Sequence, residues 1–111
     1  MTTDEYEKAL NKLLLKIKYE KALTDLNKSL EIEPNNSWAL RSRGDVYFMM
    51  KKYKEALIDL KKSLKIDPSN LQALQKCGEV YCIMGKYKEA LADLKKSLKI
   101  QPSNSWALHD E

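Results

Sequence analysis

YKEALIDLKKSLKIDPSN, Tyr53 to Asn70, returns 34 residues later as YKEALADLKKSLKIQPSN, Tyr87 to Asn104. Only the pairs Ile58/Ala92 and Asp67/Gln101 differ. A degraded copy, YEKALTDLNKSLEIEPNN, occupies Tyr19 to Asn36, and Pro34, Pro68 and Pro102 fall at the same interval. A fixed period of this length signals stacked supersecondary units rather than a single-pass globule.

Each copy reads as a helix. Tyr53, Ala56, Leu57, Leu60 and Leu64 follow the i, i+3, i+4, i+7 spacing of one buried face, while Lys54, Lys61, Lys62 and Lys65 cover the other side. The helix must stop before Pro68, which disfavours helical geometry at the residue preceding it and has no backbone N–H to donate. Ser69-Asn70 then offers side-chain oxygens to cap the next helix. Working outward, the spacing predicts helices over 4–16, 19–32, 37–50, 53–66, 71–84 and 87–100. Asp4 is the expected cap of the first, and Asn36 or Ser37 of the third. The turns fall at Lys51-Lys52 and at Gly85. Two helices per unit and no strand signal predict an all-α protein, an α-solenoid of about three 34-residue units over 3–36, 37–70 and 71–104. The start of a further helix is expected over 105–111. The third unit matches the second at 23 of 34 positions, so both units should share one backbone design.

Composition narrows the class. With 111 residues and 43% hydrophobic content the chain can bury a core, and 32% charge suits a helical surface. The net charge of +4 is concentrated in the second and third units, a hint of an acidic partner. Cys77 and Cys82 lie five residues apart on one helix and point about 140° away from each other. They suit neither a local disulfide nor half a metal site, and read as two small packing residues kept reduced in the cytoplasm. The polar, acidic start MTTDEYEKAL shows no secretion signal, and no window approaches the length of a membrane span. The short SWALHDE end and the missing polar end-helix suggest a piece of a longer array.

The spacing Leu40, Arg43, Gly44, Tyr47, Ala56, Leu60, Pro68 resembles the tetratricopeptide repeat (TPR) family, and Leu74, Cys77, Gly78, Tyr81, Ala90, Leu94, Pro102 matches it again. The small residues Gly44 and Ala56, or Gly78 and Ala90, stand where two antiparallel helices must approach closely. Departures are Leu40 and Leu74 in place of the family's Trp, Arg43 and Cys77 in place of its Leu, and Leu10 and Ile17 in the first unit where a Gly and a turn residue belong. The resemblance implies a non-enzymatic scaffold, cytoplasmic, without a cofactor or metal, that binds a protein or peptide in a groove lined by the first helix of each unit. Carried over by position, that groove holds Trp38, Arg41, Asp45, Phe48 and Met49, then Gln72, Gln75, Glu79 and Ile83, with Asn11 from the first unit. Aromatic residues and Arg are enriched among binding hot spots. Packing between units is the competing role for Trp38, Phe48 and Met49. The family's clamp for chaperone-tail carboxylates maps to Glu7, Asn11, Ser42, Gln72 and Lys76. Glu7 reverses the required charge, which argues against that ligand.

No catalytic constellation stands out. His109, the sole histidine, neighbours Asp110 without a nucleophile, and no glycine-rich phosphate loop is present. The lysine stripe Lys61, Lys62, Lys65 and its copies Lys95, Lys96, Lys99 lacks interleaved aromatics or arginines, so a solvated face is favoured over nucleic-acid binding. Self-association is the alternative function, end to end through the bare face of 87–100 or as a swapped dimer. The swap follows from the first unit. The repeat pattern asks for a closed hairpin there, yet nothing between Asp4 and Glu33 breaks a helix, and one continuous helix over 4–32 is the competing form.

Overall fold

The computed structural model describes residues 2–100. Among them are five α-helices and no strand: α1 (Thr3–Ile32), α2 (Ser37–Met49), α3 (Tyr53–Ile66), α4 (Leu71–Ile83) and α5 (Tyr87–Ile100). Each helix packs on the next in chain order, so the architecture is an α-solenoid of helical repeats. The further helix expected over 105–111, with Trp106 and His109, lies outside the described residues.

The caps follow the sequence closely. The Asn36 side chain accepts from the Ala39 N–H at 3.0 Å and the Asn70 side chain from the Ala73 N–H at 3.1 Å, each satisfying one orphan donor at a helix start. At the N-terminus the cap is Thr2 rather than Asp4: its hydroxyl accepts from the Glu5 N–H at 3.2 Å. Asp4 lies in the first turn, where its charge complements the helix dipole.

The first unit departs from the others. The hairpin that the repeat pattern asks for over 3–36 is not formed, and α1 runs unbroken through 30 residues. The turns of the later units show why. Lys51 and Gly85 each adopt a left-handed backbone, with φ of 62° and 77°. Each lets the next N–H fold back, Lys52 onto the Tyr47 carbonyl at 2.8 Å and Lys86 onto the Tyr81 carbonyl at 2.7 Å. This left-handed stop satisfies carbonyls that the ended helix orphans. Ile17 stands 34 residues before Lys51, and positive φ is strongly disfavoured for a β-branched residue. Continuing the helix avoids that strain and leaves no orphaned backbone groups at a turn.

The main core gathers Leu60, Ala73, Cys77, Val80, Tyr81 and Ala90, flanked by Phe48, Tyr53, Leu57, Leu64 and Met84. A smaller cluster joins α1 to α2 through Leu30, Ala39 and Leu40, with Leu26 against it. Burying a Leu or Val side chain stabilises by about 1.5–3 kcal/mol and the smaller Ala by less, and most of the buried residues lie within 37–100, so the fold rests mainly there. Gly44 lies at a tight crossing: a Cβ there would meet Leu60 Cγ at 2.9 Å and the Ala56 carbonyl at 3.2 Å. At Gly78 the nearest atom would be Leu94 Cδ2 at 3.4 Å, an ordinary contact. The buried Ser63 hydroxyl donates to the Ser37 carbonyl at 2.9 Å, tying the end of α3 to the start of α2.

Candidate functional site

The first helices of the second and third units, α2 and α4, enclose a cleft of about 420 Å³ lined by Arg41, Asp45, Gln72, Gln75, Lys76 and Glu79. Helical spacing selects them. Arg41 and Asp45 are i, i+4 on α2; Gln72, Gln75, Lys76 and Glu79 follow 3- and 4-residue steps on α4, so each set forms one stripe. The neighbouring stripes carry Leu40 and Gly44, Leu74 and Gly78, all buried, and so hold the polar stripes facing outward.

The charges in the cleft are paired along their own helices. The Arg41 guanidinium donates to Asp45 at 2.8 Å. The Lys76 ammonium donates to Glu79 at 3.2 Å and sits over the Phe48 ring, 4.3 Å from its centroid. Burial pushes the Asp45 carboxyl above its ordinary value, and the positive charges of Arg41 and Lys76 only partly oppose this. The cleft therefore presents an ion-paired cation, Arg41, beside two neutral amides, Gln72 and Gln75. It can exchange hydrogen bonds with a peptide backbone and offer Arg41 to a carboxylate.

Five of the ten residues expected at the groove converge here: Arg41, Asp45, Gln72, Gln75 and Glu79. Lys76 joins them, although the sequence marks it only through the clamp position. The others are not among its lining residues, although Phe48 adjoins the cleft beneath Lys76. Phe48 is half-buried and packs edge-on to Tyr53, with ring centroids 5.8 Å apart, at the margin of the main core. Met49 lines a separate, mostly apolar groove of about 760 Å³ with Leu13, Leu15 and Tyr19 of α1. Trp38 and Ile83 are exposed and outside the cleft. Asn11 sits on the unfolded-back half of α1, exposed and not among the residues lining the cleft.

The two cysteines differ. Cys77 is buried, as packing requires, and desolvation pushes its thiol up to about 12. Cys82 is exposed and does not pack: its position on α4, about 140° around from Cys77, faces away from the core. The lysine side is also less uniform than its composition suggests, because Lys61 lies over the Tyr81 ring at 5.2 Å.

One network escapes sequence reading. Arg43 holds the buried Asp59 through two hydrogen bonds, Nε at 2.7 Å and Nη2 at 2.8 Å, and donates a third to Asn27 of α1 at 2.9 Å. It links α1, α2 and α3. Arg43 reads in the sequence as a departure from an apolar position, and its partners lie 16 residues away in either direction. Only the helix packing reveals that they meet.

Comparison with known proteins agrees with this architecture. No curated protein matches the chain. Among solved structures, the first TPR domain of Spaghetti (RPAP3) bound to an HSP90 peptide superposes with a TM-score of 0.78 at 26% identity, over 90% of this chain and 79% of that one. YrrB, a TPR protein with an unusual peptide-binding site, superposes with a TM-score of 0.75 at 26% identity, over 99% of this chain and 57% of that one. MamA superposes with a TM-score of 0.77 at 24% identity over 80% of this chain, which spans about half, 52%, of the MamA chain. Across no helix of the described residues is the sequence long and apolar enough to cross a membrane. Residues 15–97 match the family model described as anaphase-promoting complex, cyclosome, subunit 3, and with the helical-repeat fold and its structural relatives this shows that the chain belongs to that TPR-type family of protein-interaction repeats.

Proposed function

We propose that the chain is a non-enzymatic protein-interaction scaffold whose α2–α4 cleft holds an extended peptide bearing an acidic group. The observation that carries this reading is the convergence of Arg41, Asp45, Gln72, Gln75 and Glu79, from two separate units, on one polar cleft. Gln72 and Gln75 bridge to the peptide backbone, and Arg41, which donates to Asp45 through Nη1 alone, offers its other N–H groups to the peptide carboxylate. Support from outside the chain is limited to the peptide complex of the Spaghetti (RPAP3) domain and the peptide site of YrrB.

Fluorescence polarisation with labelled peptide pools graded in charge tests the reading. Acidic pools should bind best. Arg41→Glu should weaken them at least tenfold while helicity and melting temperature stay near those of the parent chain, and Gln75→Ala should weaken all pools. Unchanged affinity in both variants would refute the cleft as the site.

A further inference from the structure

The first half of α1 is a surplus. Every residue from Thr2 to Lys18 is exposed, including Tyr6, Leu10, Leu13, Leu14 and Ile17. No packing within the described chain explains so many large apolar side chains on one helix.

The same molecule has a matching deficit. In the later units the first helix covers the second, and Ala56 and Ala90 are buried to 0% and 2% exposure; Ala22, at the same place in the first unit, is only half-buried. The gap extends to the next unit. Val80 and Tyr81 are buried beside Phe48 of the preceding first helix. Their counterparts Val46 and Tyr47 remain half-exposed, because nothing occupies the place that Phe48 fills. The residue 34 positions before Phe48 is Leu14, which belongs to the surplus.

The chain cannot close this gap itself. The turn needs a left-handed residue where Ile17 stands, as Lys51 and Gly85 show. Closure is opposed a second time at Leu10, which would occupy the crossing where Gly44 already leaves no room for a Cβ. A second copy can close it. We propose that two chains pair reciprocally through α1, residues 3–17 of each covering the face of residues 19–32 and the half-exposed Val46 and Tyr47 of the other.

The later units supply the register. Gly44 faces Ala56 and Leu60, so Leu10 of one chain comes opposite Ala22 and Leu26 of its partner. That register is antiparallel and centred on Ile17, and a two-fold axis there makes both halves equivalent. No two-residue turn holds the helices at the separation that glycine demands. They can settle at the 8–10 Å set by larger side chains and seat Leu10. Pairing also returns a first-unit segment, with Asn11, to the open flank of α2. The pairing itself does not depend on the cleft being a peptide site.

The test uses the full chain in a Cys82→Ser background. Light scattering across a concentration series should show a dimer that dissociates on dilution. Chains labelled at Asp4→Cys, mixed and refolded with chains labelled at Glu33→Cys, should show strong energy transfer between chains, since the two sites lie on adjacent antiparallel helices about 10 Å apart. Doubly labelled chains diluted into excess unlabelled protein should report about 43 Å within one chain, from 1.5 Å per residue. Leu13→Asp/Leu14→Asp should give a monomer of unchanged helicity. Leu10→Gly/Ile17→Gly, which frees both the crossing and the turn, should give a monomer whose two labels come together. A parent chain that is monomeric at every concentration, or a dimer with no energy transfer between Asp4→Cys and Glu33→Cys chains, would overturn the proposal.

Discussion

Asp59 is 2% exposed, and its charge is tolerated because Arg43 grips both carboxylate oxygens. Removing one partner of a buried pair leaves an uncompensated charge, so Arg43→Met should cost about 3 kcal/mol and Arg43→Met/Asp59→Asn distinctly less, as read by urea unfolding. The third unit has Cys77 where the second has Arg43, and the counterpart carboxylate, Asp93, has no arginine. Burial pushes the Asp93 carboxyl up, with Lys96 and Lys61 opposing. An acid whose folded value is raised is costly when ionised: its penalty is present at neutral pH and fades as the pH falls through the folded value. Asp93→Asn should therefore raise the melting temperature at pH 7 and change it little in the acid limb of the profile. A larger gain at low pH than at pH 7 would reverse the assignment. At this scale the sequence is least informative, because whether a carboxylate has a partner depends on side chains from another helix.

Helix α2 and helix α4 share a pattern but not a tolerance. Gly44 sits where a Cβ would press on Leu60 and on the Ala56 carbonyl, whereas Gly78 has ordinary space around it. Gly44→Ala should lose about 1 kcal/mol to overpacking. Gly78→Ala should gain up to about 1 kcal/mol from helix propensity. Circular dichroism melts of the two variants check the pair, and equal shifts would contradict the difference in crossing. The elements themselves are legible from sequence because their determinants are local: Pro34 and Pro68, the caps Asn36 and Asn70, and the apolar face of Tyr53 to Leu64 place α2, α3 and α4 within a residue of their observed ends. The fate of α1 is less legible. Ile17 and Leu10 are visible obstacles, but the sequence does not show that the turn uses a left-handed residue. That follows from φ at Lys51 and Gly85.

The whole molecule is a stack whose later units bury a shared core while its first helix extends beyond it. Its dimensions, 50 × 38 × 23 Å, reflect that extension. The cleft was partly legible through the resemblance to the TPR family, whose groove positions fall on Arg41, Asp45, Gln72, Gln75 and Glu79, and these five line one cleft. Phe48 and Asn11 do not, since one is drawn to the core and the other lies on a helix that fails to turn back. The most direct test of the scaffold reading is an NMR titration of the isotope-labelled chain with the best-binding acidic peptide pool. Backbone shifts should concentrate on Arg41, Asp45, Gln72, Gln75 and Glu79, with the side-chain amides of both glutamines moving. Shifts confined to residues 3–18 or to the lysine side of α3 and α5 would contradict it.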